Sequence, residues 1–222
     1  LAPENRRAIV WKRANPIGSL RYLGKNKMVL GFIIPFMLIH LAGHSLQSTW
    51  TFSTMLKFNW DESIVGYSLA MVGLMVAIVQ GGLVGKVVQR FGERKTVVMG
   101  MCFWIVGLTL FGIAPYGWLM FVIVIPHALG GVAGPTLQGI ISNQVPEDMQ
   151  GELQGSLNSL ISLTAIFGPL LMTGIFYRFT DDETNVATAG APFIAGAILL
   201  VLSFILIQKP LKKLTASTRK SE

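Results

Sequence analysis

Six runs of about 20 mostly apolar residues recur along this 222-residue chain, separated by short polar or basic connections. Each run is long enough to cross the hydrocarbon core of a bilayer as a helix, which takes roughly 20 residues. The runs are continuous in their hydrophobicity, whereas strands of a membrane barrel alternate. Charged residues make up 13% of the chain, where a soluble domain would carry roughly 25%. These features predict an all-α membrane protein of six transmembrane helices.

Residues 1–27 are polar and basic, with Asn15-Pro16 and Gly18 as helix breakers, and read as a cytoplasmic linker. The spans are expected at about 28–50, 63–84, 96–114, 118–142, 155–177 and 191–208, so that 28–208 forms one bundle and 209–222 a basic tail. The connection over 51–62 is polar, and Trp50 and Trp60 at its ends suit the headgroup layer. The most basic connection runs from Gly85 to Lys95 and reads as a short loop. Pro115-Tyr116-Gly117 reads as a turn, and the connections 144–155 and 178–190 are polar.

Charge sets the expected orientation. Seven Lys/Arg lie in the lead, four in the basic loop and five in the tail, which is sixteen of the eighteen. Lys57 and Arg178 alone fall in the remaining connections. Positively charged segments stay inside, so both termini and the basic loop are expected to be cytoplasmic, in a multi-pass protein of the cell membrane. The connection after the fourth span has Glu147, Asp148 and Glu152 but no base, and acids weigh little in this rule. A net charge of +7 could point to nucleic acid, but the charges sit between and beyond the spans, and no nucleic-acid partner is expected. Cys102 is the single cysteine, so no intramolecular disulfide can form. The chain opens at Leu1 with no apolar leader, and the absence of an initiator Met suggests a piece of something longer.

No Asp, Glu, Lys or Arg falls inside the six expected cores. The polar residues there are uncharged or histidine, and polar groups facing lipid are costly, so they are expected to face protein or a water-filled cavity. His40, His44 and Gln47 share one face of the first helix at i, i+4 and i+7. His127 and Gln138 are three turns apart and are expected on one stripe of the fourth. Gln80 in the second span and Asn158 and Ser162 in the fifth are further candidates for a substrate or proton pathway. A Gln or Asn in such a bundle can equally be an interhelical hydrogen bond. His40 and His44 could share an ion, but with no carboxylate or thiolate companion no metal site is expected. No cofactor motif or catalytic set is recognisable, so the chain does not read as an enzyme. Pro35, Pro135 and the pair Gly168-Pro169 are expected as helix breaks. Gly81, Gly82, Gly130, Gly131 and Gly134 would allow close packing or bending.

The basic stretch resembles the loop signature of the major facilitator superfamily, G-x-x-x-D-R-x-G-R-[RK], in the copy between spans eight and nine. Gly85, Arg90, Gly92, Arg94 and Lys95 match, Gln89 stands in place of the acid, and Glu93 in place of the usual base. Trp50 with Phe58-Asn59-Trp60-Asp61, the run Gln150 to Leu157, and Ser159 to Thr164 with Gly168-Pro169-Leu170-Leu171 are similar to the tetracycline/proton antiporter branch. The likeness covers essentially the whole chain. It implies the C-terminal six-helix half of a twelve-helix exporter, with an N-terminal half upstream and with the first and fourth spans lining a central cavity. It also implies that Arg90 and its neighbours latch onto helix ends on the cytoplasmic side. This branch carries an acid in its ninth span, and Trp104 stands at that place here.

The resulting expectation is a proton-coupled efflux antiporter of a small drug-like compound, working by alternating access in the lipid bilayer. An uptake symporter or facilitator of a metabolite is the alternative, and a non-transporting scaffold or accessory subunit a second one.

Overall fold

The computed structural model describes residues 27–181 and 186–221, with side chains over 29–181 and 188–214. Of the expected linker over 1–27, residues 1–26 lie outside the described residues and Lys27 opens the first helix. Every regular element described is helical. In chain order these are α1 (Lys27–Phe58), α2 (Glu62–Ile78), a π-helical segment (Val79–Leu83), α3 (Val84–Phe91), α4 (Glu93–Ile113), α5 (Gly117–Gly130) and α6 (Ala133–Ser142). A 3₁₀ turn (Glu147–Met149), α7 (Gln150–Thr180), a second 3₁₀ turn (Val186–Gly190) and α8 (Ala191–Ser221) complete the order. They form six units apolar and long enough to span a membrane: Val29–Phe58, Glu62–Phe91, Glu93–Ile113, Gly117–Ser142, Glu147–Thr180 and Thr188–Leu214.

Packing sorts the spans into an inner and an outer group. The first span, α1, lies along α8 and α7, while α4 touches α5, α6 and α8. The second span leans mainly on α5 and is the least covered. Only 11% of its apolar window is buried and 22% of the fifth span's, against 39–44% for the other four. Phe32, Phe36 and Ile39 of α1 and Ile207 and Leu211 of α8 are fully buried, so these two helices share a long apolar seam. Gly196 of α8 lets the chain approach closely, since a Cβ there would sit 2.6 Å from Ser45 Oγ.

The ends of the spans differ from the expected ones. The first helix continues to Phe58, where a polar connection is expected from residue 51. Its polar residues bond within their own helix, Thr49 Oγ1 donating to the Ser45 carbonyl (2.6 Å) and Thr54 Oγ1 to that of Trp50 (2.9 Å). Such bonds remove the need for water. The real break is Asn59, with φ of 52°, before Asp61 caps α2 by accepting from the Ile64 N–H at 2.8 Å. Trp50 is therefore two turns inside the helix and not in the headgroup layer. It is 1% exposed, gives its indole N–H to Ser68 Oγ at 2.9 Å, and meets the rings of Phe111 and Phe193 edge-on at 5.0 and 6.1 Å.

The basic connection is likewise mostly helix. α3 carries Gly85, Gln89 and Arg90, and α4 begins at Glu93, so Gly92 alone makes the turn. Its φ of 77° is open to glycine and strained for other residues, and its N–H donates to the Val88 carbonyl at 2.8 Å. The long helix of the fifth span, α7, starts at Gln150, before the expected residue 155, and α8 runs through the expected basic tail to Ser221.

Two expected breaks do not occur. α1 passes through Pro35 and α7 through Gly168-Pro169 without interruption. A proline inside a span leaves the carbonyl four residues earlier without its helical donor, a loss that neighbouring groups can absorb; the prolines' own carbonyls each take an additional bond, Ser203 Oγ donating to that of Pro35 (2.9 Å) and Thr173 Oγ1 to that of Pro169 (2.7 Å). The fourth span does break, at Gly131–Val132, with Pro135 in the first turn of α6, where its missing N–H is least needed.

Trp50 ties α1 to three other helices, so its truncation should be felt across the bundle. Trp50→Ala should cost about 3–5 kcal/mol, read as a lowered midpoint of thermal unfolding in detergent, and Trp50→Phe distinctly less.

Candidate functional site

The polar residues expected to line a pathway divide into three places. On α1, His40 is half-buried. Its Nδ1 lies 2.9 Å from the Phe36 carbonyl, one turn back, and its ring lies 4.3 Å from that of Phe36. A proton on Nδ1 makes this bond and leaves Nε2 as the acceptor. His44 packs on Gly168 of α7 so closely that a Cβ there would lie 2.5 Å from the imidazole Cγ and 2.9 Å from His44 Cβ. Thus Gly168 serves as the seat of a histidine where a helix break was expected. Gln47, one turn on, is exposed.

A second group lies towards the basic end of the bundle. Gln138 on α6 donates to Gln154 Oε1 on α7 at 2.9 Å. Asn158, one turn beyond Gln154, and Ser162, another turn on, are exposed. Gln150 closes the same region: Ser142 Oγ donates to its Oε1 (2.6 Å), and its Nε2 donates to the carbonyls of Ser142 and Val145 (both 2.8 Å). Asn143 Nδ2 then reaches Glu93 Oε1 at 3.2 Å. Glu93 is the residue that replaces a base in the loop signature, and its carboxylate links the start of the third span to the end of the fourth. Gln89, Arg90 and Lys95 are exposed and Arg94 is half-buried. Gln150 and Gln154 are absent from the expected site residues because their chain segment reads as a polar loop. Their i, i+4 spacing would have revealed them once the helix is started at Gln150.

The third place is where the second and fourth spans meet. The π segment carrying Gln80 packs beside the break in the fourth span. Val79, Ala128 and Val132 are buried together, with Leu83 and Val84 against them, and Gln80 Nε2 lies 3.9 Å from where a Gly131 Cβ would stand. π segments inside α-helices frequently mark functional positions.

His127 belongs to none of these. The break at Gly131–Val132 dissolves the three-turn register with Gln138, so the two residues do not share a stripe. Gln138 faces α7, whereas the backbone of His127 rests on Gly107 of α4, where a Cβ would lie 2.9 Å from His127 Cα. Its ring centroid is 5.3 Å from Phe111 and 6.4 Å from Trp104, and its Nδ1 is buried without a partner among the described residues. Trp104 itself packs on Gly130, where a Cβ would stand 2.8 Å from its backbone nitrogen.

Six helices long and apolar enough to cross a membrane, with polar side chains at several of their contacts, define a multi-pass membrane protein. Residues 22–221 match the Major Facilitator Superfamily, and the chain belongs to that family. It is 36% identical over 197 residues to the class C tetracycline resistance protein of Escherichia coli, covering 89% of this chain and 48% of that protein. It is 37% identical over 175 residues to the class G protein of Vibrio anguillarum, covering 79% and 43%. It is also 26% identical over 211 residues to the human hippocampus abundant transcript-like protein 1, covering 89% and 42%. The chain therefore spans about half the length of the curated relatives it matches.

The His44–Gly168 contact gives a direct test of the α1–α7 seam. Gly168→Ala should destabilise by about 1–3 kcal/mol through overpacking, and adding His44→Ala should restore part of the loss, because it removes the ring clash while the 2.9 Å contact with Cβ stays. Thermal unfolding of the two single variants and the double variant measures this. Equal and additive losses would place the strain elsewhere.

Proposed function

We propose that this chain is the C-terminal half of a twelve-span, proton-coupled exporter of a small drug-like compound, residing in the bacterial inner membrane and working by alternating access. One observation carries the reading: 36% identity to a tetracycline resistance protein over 89% of the chain. The export itself requires no covalent chemistry, so the protein acts as a transporter and not as an enzyme.

The uneven covering of the spans supports a missing half. The second and fifth spans present Tyr67, Leu74 and Ile78, and Ile166, Phe167 and Leu170, as exposed side chains. A second six-helix unit docking on these two spans would enclose the polar residues between the halves. Gln47 and Asn158 are exposed polar groups that would then line the cavity, with His40 and His44 behind Gln47 as proton-handling groups.

The basic turn supports a cytoplasmic position for the end that carries it. Exposed Arg90 and Lys95 are placed to reach another unit, while Glu93 and Asn143 tie their base to the fourth span. The cargo is expected to be more apolar than a tetracycline–metal chelate. No acid lies within the third span beyond its first residue, Glu93, and Trp104 is occupied in packing against the fourth.

Efflux from proteoliposomes holding the full-length protein tests this reading. An imposed proton gradient should accelerate export and its collapse should return the rate to baseline; export indifferent to the gradient would exclude antiport. Within that assay, His40→Ala and Gln47→Ala should each lower the rate several-fold with expression unchanged. Rates equal to the parent would make this stripe packing alone.

Sidedness has its own check. In a Cys102→Ser background, a membrane-impermeant maleimide should label Lys86→Cys only in inverted vesicles and Asp61→Cys only in right-side-out ones.

A further inference from the structure

A cavity of about 660 Å³ lies at the end of the bundle opposite the basic turn, between the last turns of α1, α4 and α7 and the first turns of α8. Its two parts differ in chemistry. At the helix ends stand Lys57, Thr188 and the start of α8 at Ala191. Lys57 Nζ donates to the Gly112 carbonyl at 3.0 Å and lies 5.6 Å from the Phe58 ring centroid. These are its partners among the described residues, and neither carries a full negative charge. The first turn of α8 adds the positive end of a helix dipole to the same spot. The walls are otherwise apolar, with Ile113 and Phe179 at the helix ends and Ile175, Ile194 and Ile198 further in. Ala191 to Ile198 is seven residues of α8, so this apolar wall runs inward for roughly 10 Å.

We propose that this cavity binds an anionic phospholipid of the leaflet at that end, its phosphate on Lys57 and the α8 N-terminus and one acyl chain against Ile194 and Ile198. The direction of the site decides for a lipid. Its cationic part lies at the helix ends and its apolar part points towards the middle of the spans, which is how a lipid stands in that leaflet. An ammonium beside apolar walls is costly without a counter-charge, and a lipid phosphate supplies one. The volume falls within the usual range for ligand cavities, about 300–1,000 Å³. The site is formed within this half of the molecule and does not depend on what the protein exports.

The test uses the full-length protein in a neutral detergent, titrated with phosphatidylglycerol, phosphatidylcholine or glycerol phosphate. Thermal stability and lipid retention by native mass spectrometry are the readouts. Phosphatidylglycerol should be retained roughly fivefold more tightly than phosphatidylcholine, about the weight of one lysine at an anionic surface, and should raise the unfolding temperature; glycerol phosphate should do neither. Lys57→Gln should abolish the preference between the two lipids and Lys57→Arg should keep it. Ala195→Trp, which fills the apolar part, should weaken retention of both. Equal retention of the two lipids by the parent would overturn the proposal. So would an unchanged preference in Lys57→Gln. Stabilisation by glycerol phosphate alone would make it a site for a free anion and overturn the lipid. If Lys57→Gln fails to fold, the parent's preference and Ala195→Trp still decide.

Discussion

A single methyl group on Gly107 would lie 2.8 Å from the Cβ of His127 and 2.9 Å from its Cα. Much of the bundle depends on contacts of this kind. In lipid the hydrophobic effect does not press helices together, and their association rests on van der Waals contact at small residues. The third span concentrates these contacts. Gly100 meets the backbone of Ala133, Gly107 that of His127, and Gly112 the side chain of Ile194, so α4 is held against α6, α5 and α8 at three levels. Gly130 returns the relation by seating Trp104. A span so closely seated on three neighbours has little room to carry a pathway, and the polar candidates accordingly lie on other helices.

This constraint explains the position of His127. Its backbone is a packing surface for Gly107, and its ring fills the space between Trp104 and Phe111. A histidine in a span invites a functional reading, but here the glycine opposite it dictates where it must lie. His44 is different in degree. It too rests on a glycine, Gly168, yet it sits on α1 between His40 and the exposed Gln47. Its contact is with the fifth span, one of the two least covered. A shift of the fifth span relative to α1 would move the His44 ring directly, whereas His127 is held on the tightly packed third span.

The six spans and their order were legible from composition, because a run of about 20 apolar residues has few other fates. Their ends were not. Thr54 looks like a residue of a polar connection but bonds back to the Trp50 carbonyl of its own helix. Gly85 to Lys95 looks like a loop because it is charged, yet a helix end can be charged wherever it leaves the membrane. The i, i+4, i+7 grouping on α1 held because that helix is unbroken. The grouping of His127 with Gln138 failed because the chain turns at Gly131–Val132, three residues before the expected break at Pro135; a proline signals a break nearby without fixing the residue at which it falls. The cavity at Lys57 left no sequence trace, since four separate helix ends build it.

The irregular backbone is arranged so that weakness meets weakness. The π segment of the second span packs on the break of the fourth, and their buried side chains, Val79, Ala128 and Val132, form a cluster apart from the main core. Below them, α3 and α6 each continue as short helices of 8 and 10 residues towards the basic end, where Gly92 and the Asn143–Glu93 bond join them to α4. Small polar side chains stabilise a membrane contact by only about 0.6 kcal/mol each on average. The joint at Glu93 is therefore weak beside the glycine seats of the third span. Any rearrangement of this half that preserves those seats must be taken up at the two irregular segments and at the Asn143–Glu93 bond, which is where the charged turn would feel it.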